Sequence, residues 1–301
     1  MGGNDRPRTR ATAAGLVPVP GAPGIWTAGV SEGAPLVLVH GTRLSALMWD
    51  PHARRLAPRF RITAPDLPGH GALRGRPFRL EEAVAQVGLA AEEAVRATGR
   101  RPLVAGASLG GYVALAYGAA HPDGAAALLV QGATARTDGP AVLLHRAAAR
   151  AFAALGPDRS ARLNAWAFGR RLPAESREAV LRGGLAMPAF GEVVDALSLG
   201  DFPGLARRCR LPVLFVNGVG DRLFRTGERE FLAAARSGGG DARLFHVRGP
   251  HIMSLTDPAA FTRTLERGHR LLSTAHPEAF AAPGRPAGRA SAPQPQPQPW
   301  P

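Results

Sequence analysis

One serine stands in a setting that suits a nucleophile. Residues 106–110 read Gly-Ala-Ser-Leu-Gly, which matches G-x-S-x-G, the sharp turn from a strand into a helix that thrusts the serine oxygen clear of the backbone. Residues 29–33 read Gly-Val-Ser-Glu-Gly and fit the same letters, but a strand pattern follows them instead of a helix. An apolar run precedes Ser108 and a helical pattern follows it, so we predict that Ser108 is a nucleophile and that Ser31 is a turn residue.

A serine hydroxyl is a poor nucleophile near neutral pH and needs a base within hydrogen-bond reach. His251 is the best-placed candidate, because it stands in a loop just beyond the apolar run Arg243–Val247. His246 lies inside that run, where we expect it to pack, and His269 lies in a helical pattern, where we expect it to face solvent. We therefore predict His251 as the base.

The base in turn needs an acid that orients its ring. Asp221 closes the segment Asn-Gly-Val-Gly-Asp just past the apolar run Pro212–Val216, and it precedes His251 in the chain. Asp138, which follows an earlier run, is an alternative acid. Asp221 is the better placed of the two, and it gives the chain order serine, aspartate, histidine.

The negative oxygen of a tetrahedral intermediate needs two backbone donors already in position. We expect one from Leu109, the residue after the nucleophile, and the other from Thr42, in the loop after the first long apolar run. His40 in the same loop is interpreted as a structural hydrogen-bonding residue rather than as a second base.

Several short apolar runs supply the strands that must hold these residues. Each has strand length, lacks alternation and is followed by glycine and polar residues; they are Pro35–Val39, Pro102–Ala105, Ala127–Val130 and Pro212–Val216. Strands buried on both faces have this composition, and segments with helical spacing occur at 80–98, 109–120, 225–236 and 257–272. The alternation predicts the α/β class, a mostly parallel sheet flanked by helices, with the chemistry beyond the carboxyl ends of the strands.

Residues 135–202 break this alternation. Helical patterns occur there at Ala141–Leu155, Ser160–Phe168 and Glu175–Leu185 without a convincing strand, so we interpret the segment as a helical cap inserted over the strand ends. Such a cap would line a substrate pocket, although aromatic residues at this spacing equally suit the core of the cap itself. The candidate substrate-binding residues are Trp166, Phe168, Met187 and Phe190.

The two ends of the chain are poor in core-forming residues. Residues 1–24 mix Gly, Pro, Arg and Thr, and residues 276–301 end in a Gln-Pro repeat that favours an extended conformation. We predict a flexible segment over 1–24, an α/β core over 25–134 and 203–275, and a disordered Pro-rich tail over 276–301.

The 301-residue chain carries a net charge of +14, and all 37 of its basic residues are arginine. The excess is spread along the chain without aromatic platforms beside it, so we expect no nucleic-acid partner. No apolar run reaches the ~18 residues of a membrane helix, and the N-terminus lacks the apolar core of a secretory signal, so we expect a cytoplasmic protein without membrane contact. Cys209, the only cysteine, excludes an intramolecular disulfide and a cysteine-based metal cluster.

Taken together, these segments resemble the α/β-hydrolase family over roughly residues 25–275. The matching segments follow the family's order: His40-Gly41, Trp49 in the helix that follows, Asp66-Leu-Pro-Gly-His-Gly71, residues 106–111, Asp221 and Gly249-Pro-His251. The resemblance implies Ser108 as nucleophile, His251 as base and Asp221 as acid. It further implies the N–H groups of Thr42 and Leu109 as the oxyanion hole, 135–202 as the cap, and a turn near the site shaped by Asp66 and His70.

Two positions depart from the family pattern. The loop after Gly41 reads Thr-Arg-Leu-Ser where relatives carry Gly-rich or aromatic residues, and Pro250 stands where a small residue is usual. Arg43 in that loop is a candidate ligand for an acidic group of the substrate. Arg222, beside Asp221, is a second arginine that could favour anionic substrates.

A serine nucleophile implies an acyl-enzyme, whereas haloalkane dehalogenases and epoxide hydrolases use an aspartate at this position. The first hypothesis is a serine hydrolase that cleaves a carboxylic ester. Lactone or thioester hydrolysis, carbon–carbon cleavage and acyl transfer use the same triad, and a non-catalytic ligand-binding protein of this fold is the alternative from another class. No metal cluster, dinucleotide fingerprint or phosphate loop accompanies the triad, so we expect a small-molecule acyl substrate, no cofactor and no metal. The sequence indicates no oligomeric state.

Overall fold

A computed structural model describes residues 15–136 and 140–282. The alternative acid Asp138 lies outside these ranges, as do residues 1–14 of the predicted N-terminal segment and residues 283–301 of the predicted tail. Within the described parts of those two ends, the chain forms a short edge strand at Val17–Pro18 and a short helix at Pro277–Phe280.

The described strands form one mostly parallel sheet. Their bounds are β1 (Val17–Pro18), β2 (Ile25–Gly29), β3 (Ala34–Val39), β4 (Phe60–Pro65), β5 (Leu103–Ala107), β6 (Ala127–Gln131), β7 (Val213–Gly218) and β8 (Ala242–Val247). They lie in the order β1-β2-β4-β3-β5-β6-β7-β8. The β1–β2 and β2–β4 pairs are antiparallel, and every other adjacent pair is parallel. The sheet confirms the predicted fold class.

Helices connect the strands and cover both faces of the sheet. Their bounds are α1 (Asp50–Leu56), α2 (Leu80–Thr98), α3 (Leu109–Ala120), α4 (Pro140–Leu155), α5 (Pro157–Arg171), α6 (Ala174–Gly183), α7 (Phe190–Leu199), α8 (Phe202–Arg208), α9 (Glu228–Ser237), α10 (Met253–Thr256), α11 (Pro258–Ala275) and α12 (Pro277–Phe280). Trp49, expected in a helix, ends a short 3₁₀ turn that leads into α1. None of the described helices has the length and apolar character that crossing a bilayer requires.

Successive side chains of the central strands point to opposite faces of the sheet. In β3, Val37 and Val39 join the core that contains residues of α2, α3 and α9, whereas Leu36 and Leu38 join the core that contains residues of α1 and α11. Every residue of β5, β6 and β7 is buried. Burial on both faces explains why these runs are apolar without alternation.

Two histidines have surroundings that differ from the expectation. His246 lies on the edge strand β8, where it is exposed and hydrogen-bonded to Glu228 at 2.9 Å instead of packing inside. His269, expected to face solvent, lies between the rings of Phe60 and Phe280, at centroid distances of 5.0 and 5.2 Å. Burial lowers the pKa of His269 to about 4. Local patterns predicted the element that holds each histidine, but its neighbours come from distant parts of the chain.

The helices α4 to α7 fall within the predicted insertion and lie between β6 and β7 in the chain. The sequence patterns predicted α4, α5 and α6, but not α7. α8 packs against α3 and α9, and its Phe202 belongs to the sheet core. α8 therefore packs with the sheet core just before β7 begins.

Candidate active site

Ser108 stands at the tip of a tight turn between β5 and α3. Its backbone has φ of 53°, a left-handed conformation that a residue with a Cβ adopts only under strain. A Cβ at Gly106 would lie 2.1 Å from the carbonyl oxygen of Gly110, and one at Gly110 would lie 2.2 Å from that of Val39. Both flanking glycines are therefore required by the close approach of backbone. Ser31, in the second match, lies in the turn between β2 and β3.

The ends of three strands bring Ser108, Asp221 and His251 together. Nε2 of His251 lies 3.0 Å from Oγ of Ser108, and Nδ1 of His251 lies 2.7 Å from Oδ2 of Asp221. Asp221 is buried and His251 is partly buried. A carboxylate accepts only, so Nδ1 carries the proton and Nε2 is left as the acceptor for the serine hydroxyl. This arrangement can remove a proton from Ser108 and hold the resulting imidazolium beside an anion.

Gly132, which the sequence analysis did not single out, lies against the ring of His251. It follows β6 with φ of 62°, and a Cβ there would lie 3.0 Å from both Cε1 and Nδ1 of His251. Its N–H donates to Oδ1 of Asn217 at 3.0 Å. A side chain at residue 132 would therefore press on the imidazole, which would have to shift by a few tenths of an ångström.

Two backbone N–H groups are available for an oxyanion beside Ser108. Thr42 and Leu109 both line the cavity that contains Ser108. Within the described part of the chain, neither backbone N–H donates a hydrogen bond. The next N–H, that of Arg43, donates to Nε2 of His70 at 3.3 Å. The N–H of Thr42 is therefore free to donate to an oxyanion beside Ser108 in the described part of the chain.

Buried polar side chains hold the loop that carries Thr42. Nε2 of His40 accepts from the N–H of Leu67 at 3.0 Å, while the carboxylate of Asp66 accepts from the N–H groups of Ala46 and Ala72 at 2.8 and 3.0 Å. Burial lowers the pKa of His40 to about 4 and that of His70 to about 3. Both imidazoles are therefore neutral near pH 7 and can accept from the backbone.

A narrow cavity of about 80 Å³ adjoins Ser108 between the strand ends and the insertion. Its apolar wall comes mainly from the insertion and consists of Val142, Phe190, Val193, Val194 and Leu197. Tyr112, Ala135, Arg136, His145, Ser198 and Phe224 complete the wall beside Thr42, Ser108 and Leu109. The cavity can therefore receive a mostly apolar group next to the serine.

Of the candidate substrate-binding residues Trp166, Phe168, Met187 and Phe190, the first three do not line the cavity beside Ser108. Trp166 is 61% exposed and stacks with Arg170. Phe168 packs against the sheet core on the α1 side. Met187 lines a separate groove between α4 and α7. Trp166 and Phe168 lie on α5, where a helical pattern was predicted, but spacing does not tell which face of α5 meets the sheet, and Met187 lies in the loop before α7. Phe190 does line the cavity.

Arg43 points toward the insertion rather than into the cavity wall. Its Nη1 donates to Oδ1 of Asn164 at 2.6 Å, and its guanidinium lies 5.1 Å from the ring centre of Phe190. The carbonyl oxygen of Arg43 accepts from the N–H of Ala186 at 2.9 Å. Burial lowers the pKa of the Arg43 guanidinium. These contacts connect the loop of Thr42 with two helices of the insertion.

Tyr112, His145 and Phe224 are cavity residues that the sequence analysis missed. Phe224 stands three residues after Asp221, so its place in the chain was a usable signal. Tyr112 stands four residues after Ser108 on α3, one helical turn on. For His145 no such signal exists, because its position depends on how α4 lies over the strand ends.

Comparison with known proteins shows which family the chain belongs to. Residues 36–283 match the alpha/beta hydrolase family. The chain is 27% identical over 260 residues to a pimeloyl-(acyl-carrier protein) methyl ester esterase of Neisseria meningitidis, which covers 81% of this chain and 90% of that relative. Among solved structures it resembles E-2-(acetamidomethylene)succinate hydrolase, with a TM-score of 0.64, 19% identity and coverage of 81% of this chain and 93% of the other. It also resembles the enol-lactonase of Burkholderia xenovorans, with a TM-score of 0.59, 20% identity and coverage of 82% and 95%. As the sequence predicted, the chain belongs to the alpha/beta hydrolase family.

Proposed function

We propose that this enzyme is a serine hydrolase that cleaves carboxylic esters through an acyl-enzyme on Ser108. The observation that carries the proposal is the unbroken hydrogen-bonded row from Asp221 through His251 to Ser108, with contacts of 2.7 and 3.0 Å. A ligand-binding protein of the same fold would have no need of this geometry, nor of the strained backbone at Ser108.

The reaction follows from the positions of these groups. Nε2 of His251 takes the proton of Ser108 as Oγ attacks the ester carbonyl carbon, and the carbonyl oxygen becomes an oxyanion. The N–H groups of Thr42 and Leu109 donate to that oxyanion. The imidazolium then gives its proton to the leaving alkoxide as the carbon–oxygen bond breaks. Water, deprotonated by the same nitrogen, releases the acid and restores Ser108.

The cavity wall indicates the substrate class. Five apolar side chains from α4 and α7 face the serine, so an apolar acyl or alkyl group gains the free energy of burial there. In this proposal α4 to α7 act as a cap. The similarity to methyl ester esterases supports small alkyl esters of an apolar acid as the first substrates to examine.

Hydrolysis of p-nitrophenyl esters with acyl chains of increasing length tests the proposal. We expect turnover by the wild type, loss of turnover in Ser108→Ala, and covalent labelling of Ser108 by a fluorophosphonate. Ser31→Ala is the matched control, because Ser31 occupies the same motif letters in an exposed turn; it should hydrolyse the esters like the wild type. An unlabelled Ser108, or equal turnover by Ser108→Ala, would contradict the proposal. A parallel panel of lactones and thioesters distinguishes the related hydrolytic reactions.

A further inference from the structure

The ring of Phe224 lies flat against the ring of His251. The two ring centroids are 3.7 Å apart and the ring planes differ by 17°. Phe224 stands in the loop after β7, three residues beyond Asp221, and it also forms part of the cavity wall. One aromatic side chain therefore touches the proposed base and faces the space where a substrate would bind.

Hydrogen bonds on both sides of Phe224 hold its backbone in place. Its N–H donates to Oδ1 of Asp221 at 3.2 Å, and its carbonyl oxygen accepts from Oγ1 of Thr134 at 2.8 Å. Thr134 is itself held by Nδ2 of Asn217 at 2.8 Å. The carboxylate of Asp221 thus uses one oxygen for His251 and the other for Phe224, so acid, base and aromatic ring form one connected unit.

We propose that Phe224 is a positioning residue for His251, an inference that rests on the proposed serine-hydrolase function. The imidazole must keep Nδ1 on Asp221 and Nε2 on Ser108 at the same time, and rotation about its side-chain bonds would break both contacts. A ring stacked on one face opposes that rotation and keeps water from that face.

The stack also favours the charged form of the base. During the reaction His251 becomes an imidazolium, and a cation over an aromatic face is attracted by the π electrons of the ring. The neutral imidazole of the resting enzyme lacks that attraction. Because the interaction is stronger when the transition state is reached than in the ground state, it raises kcat rather than lowering KM.

Other groups around Phe224 do not replace this role. The ring of His145 meets Phe224 at a centroid distance of 5.7 Å and an angle of 73°, on the cavity side. Leucine at position 224 would keep an apolar wall toward the cavity and the backbone bonds to Asp221 and Thr134. It would remove the aromatic face toward His251 and the edge contact with His145, so the chemical shift of His251 is needed to report on the stack alone.

Steady-state kinetics of Phe224→Leu and Phe224→Tyr test the proposal with a short p-nitrophenyl ester. We expect kcat of Phe224→Leu to fall about three- to tenfold, the range of one aromatic pair, with KM within about twofold of the wild type. Phe224→Tyr keeps an aromatic ring at this position and should have a kcat close to that of the wild type. Phe190→Leu, which changes the cavity wall without touching His251, should act mainly on KM. A kcat for Phe224→Leu equal to that of the wild type, or an effect confined to KM, would overturn the proposal.

A spectroscopic measurement on the folded protein tests the contact independently of turnover. An aromatic ring over the imidazole shields its ring protons, so the Cε1 proton of His251 should move downfield in Phe224→Leu and return in Phe224→Tyr. An unchanged chemical shift would overturn the stack. Labelling of wild-type Ser108 by fluorophosphonate is measured alongside: absence of labelling contradicts the proposed function, whereas labelling with an unaltered kcat in Phe224→Leu contradicts the role of Phe224 alone.

Discussion

At the scale of single residues, the site depends on the absence of a side chain as much as on the presence of the triad. Gly132 approaches His251 so closely that a methyl group would press on Cε1 and Nδ1. We expect Gly132→Ala to lower kcat/KM at least about tenfold, because the histidine must move away from Ser108 or Asp221. Ester hydrolysis by the purified variant measures this.

Gly99→Ala is the matched control for backbone strain. Gly99 has φ of 67°, close to the 62° of Gly132, but open space surrounds it at the end of α2. Both variants should lose about 1 kcal/mol of unfolding free energy through the left-handed conformation, and only Gly132→Ala should lose activity. Equal kcat/KM values in the two variants would show that the contact with His251 is unimportant.

The role of Asp221 can be separated from its shape. Asparagine is nearly isosteric, but its amide cannot stabilise an imidazolium and can present N–H to Nδ1, which favours the wrong tautomer. We expect Asp221→Asn to lower kcat about a hundred- to ten-thousandfold while the fold persists. Circular dichroism checks that the variant is folded. A kcat near the wild-type value would contradict the assignment of Asp221 and favour Asp138 as the acid.

At the scale of elements, the sheet and the close approach of Ser108, Asp221 and His251 both depend on local signals in the sequence. Each of the three residues stands in the loop or turn that follows an apolar run, and parallel strands place their carboxyl ends together. The cavity wall could not be predicted in the same way. Val193, Val194 and Leu197 line the cavity because of where α7 packs, and no periodicity within ten residues encodes that placement. Trp166 shows the converse, since its type suits a pocket but its helix turns it to solvent.

The α7 helix therefore sets the depth of the cavity. Leu197→Trp adds bulk to a cavity of about 80 Å³, so we expect turnover of long-chain p-nitrophenyl esters to fall at least about tenfold relative to the acetate. Leu199→Trp, two residues further on the same helix and 84% exposed in the wild type, is the control and should keep the wild-type chain-length profile. A profile unchanged by Leu197→Trp would place the acyl chain elsewhere.

At the scale of the whole molecule, some of the arginines fasten the insertion to the sheet domain. Arg55 of α1 pairs with Glu175 of α6 at 2.8 Å, and Arg182 of α6 pairs with Asp50 of α1 at 2.8 Å. Burial raises the pKa of Asp50, but hydrogen bonds from Arg182, the N–H of Leu16 and Arg54 outweigh it and hold that pKa below its usual value. Some of the arginines thus have a structural use in the fold.

Buried histidines make the stability of the whole molecule depend on pH. Burial lowers the pKa to about 4 for His40 and His269 and to about 3 for His52 and His70, whereas an unfolded histidine has a pKa near 6.5. As the pH falls below that value, the unfolded chain binds protons that the folded chain refuses. Stability is therefore complete above about pH 6.5 and decreases as the pH falls toward 4, by about 1.4 kcal/mol per pH unit for each histidine.

Urea unfolding between pH 8 and pH 5 measures this dependence. The unfolding free energy should be flat at the alkaline end and drop by about 2 kcal/mol per buried histidine at pH 5, a large part of the 5–15 kcal/mol typical of a domain. The folded pKa values of carboxylates such as Asp50 and Asp241 are lowered, so the stability that these groups contribute is lost only at more acid pH. His52→Leu, which replaces a ring packed between Trp49 and Phe261, should reduce the slope below pH 6.5 by about a quarter, while the exposed His121→Gln should not. The comparison uses the slope of the unfolding free energy against pH, so it holds even if His52→Leu lowers stability at every pH. An unaltered slope would mean that His52 titrates in the folded protein as it does in the unfolded chain.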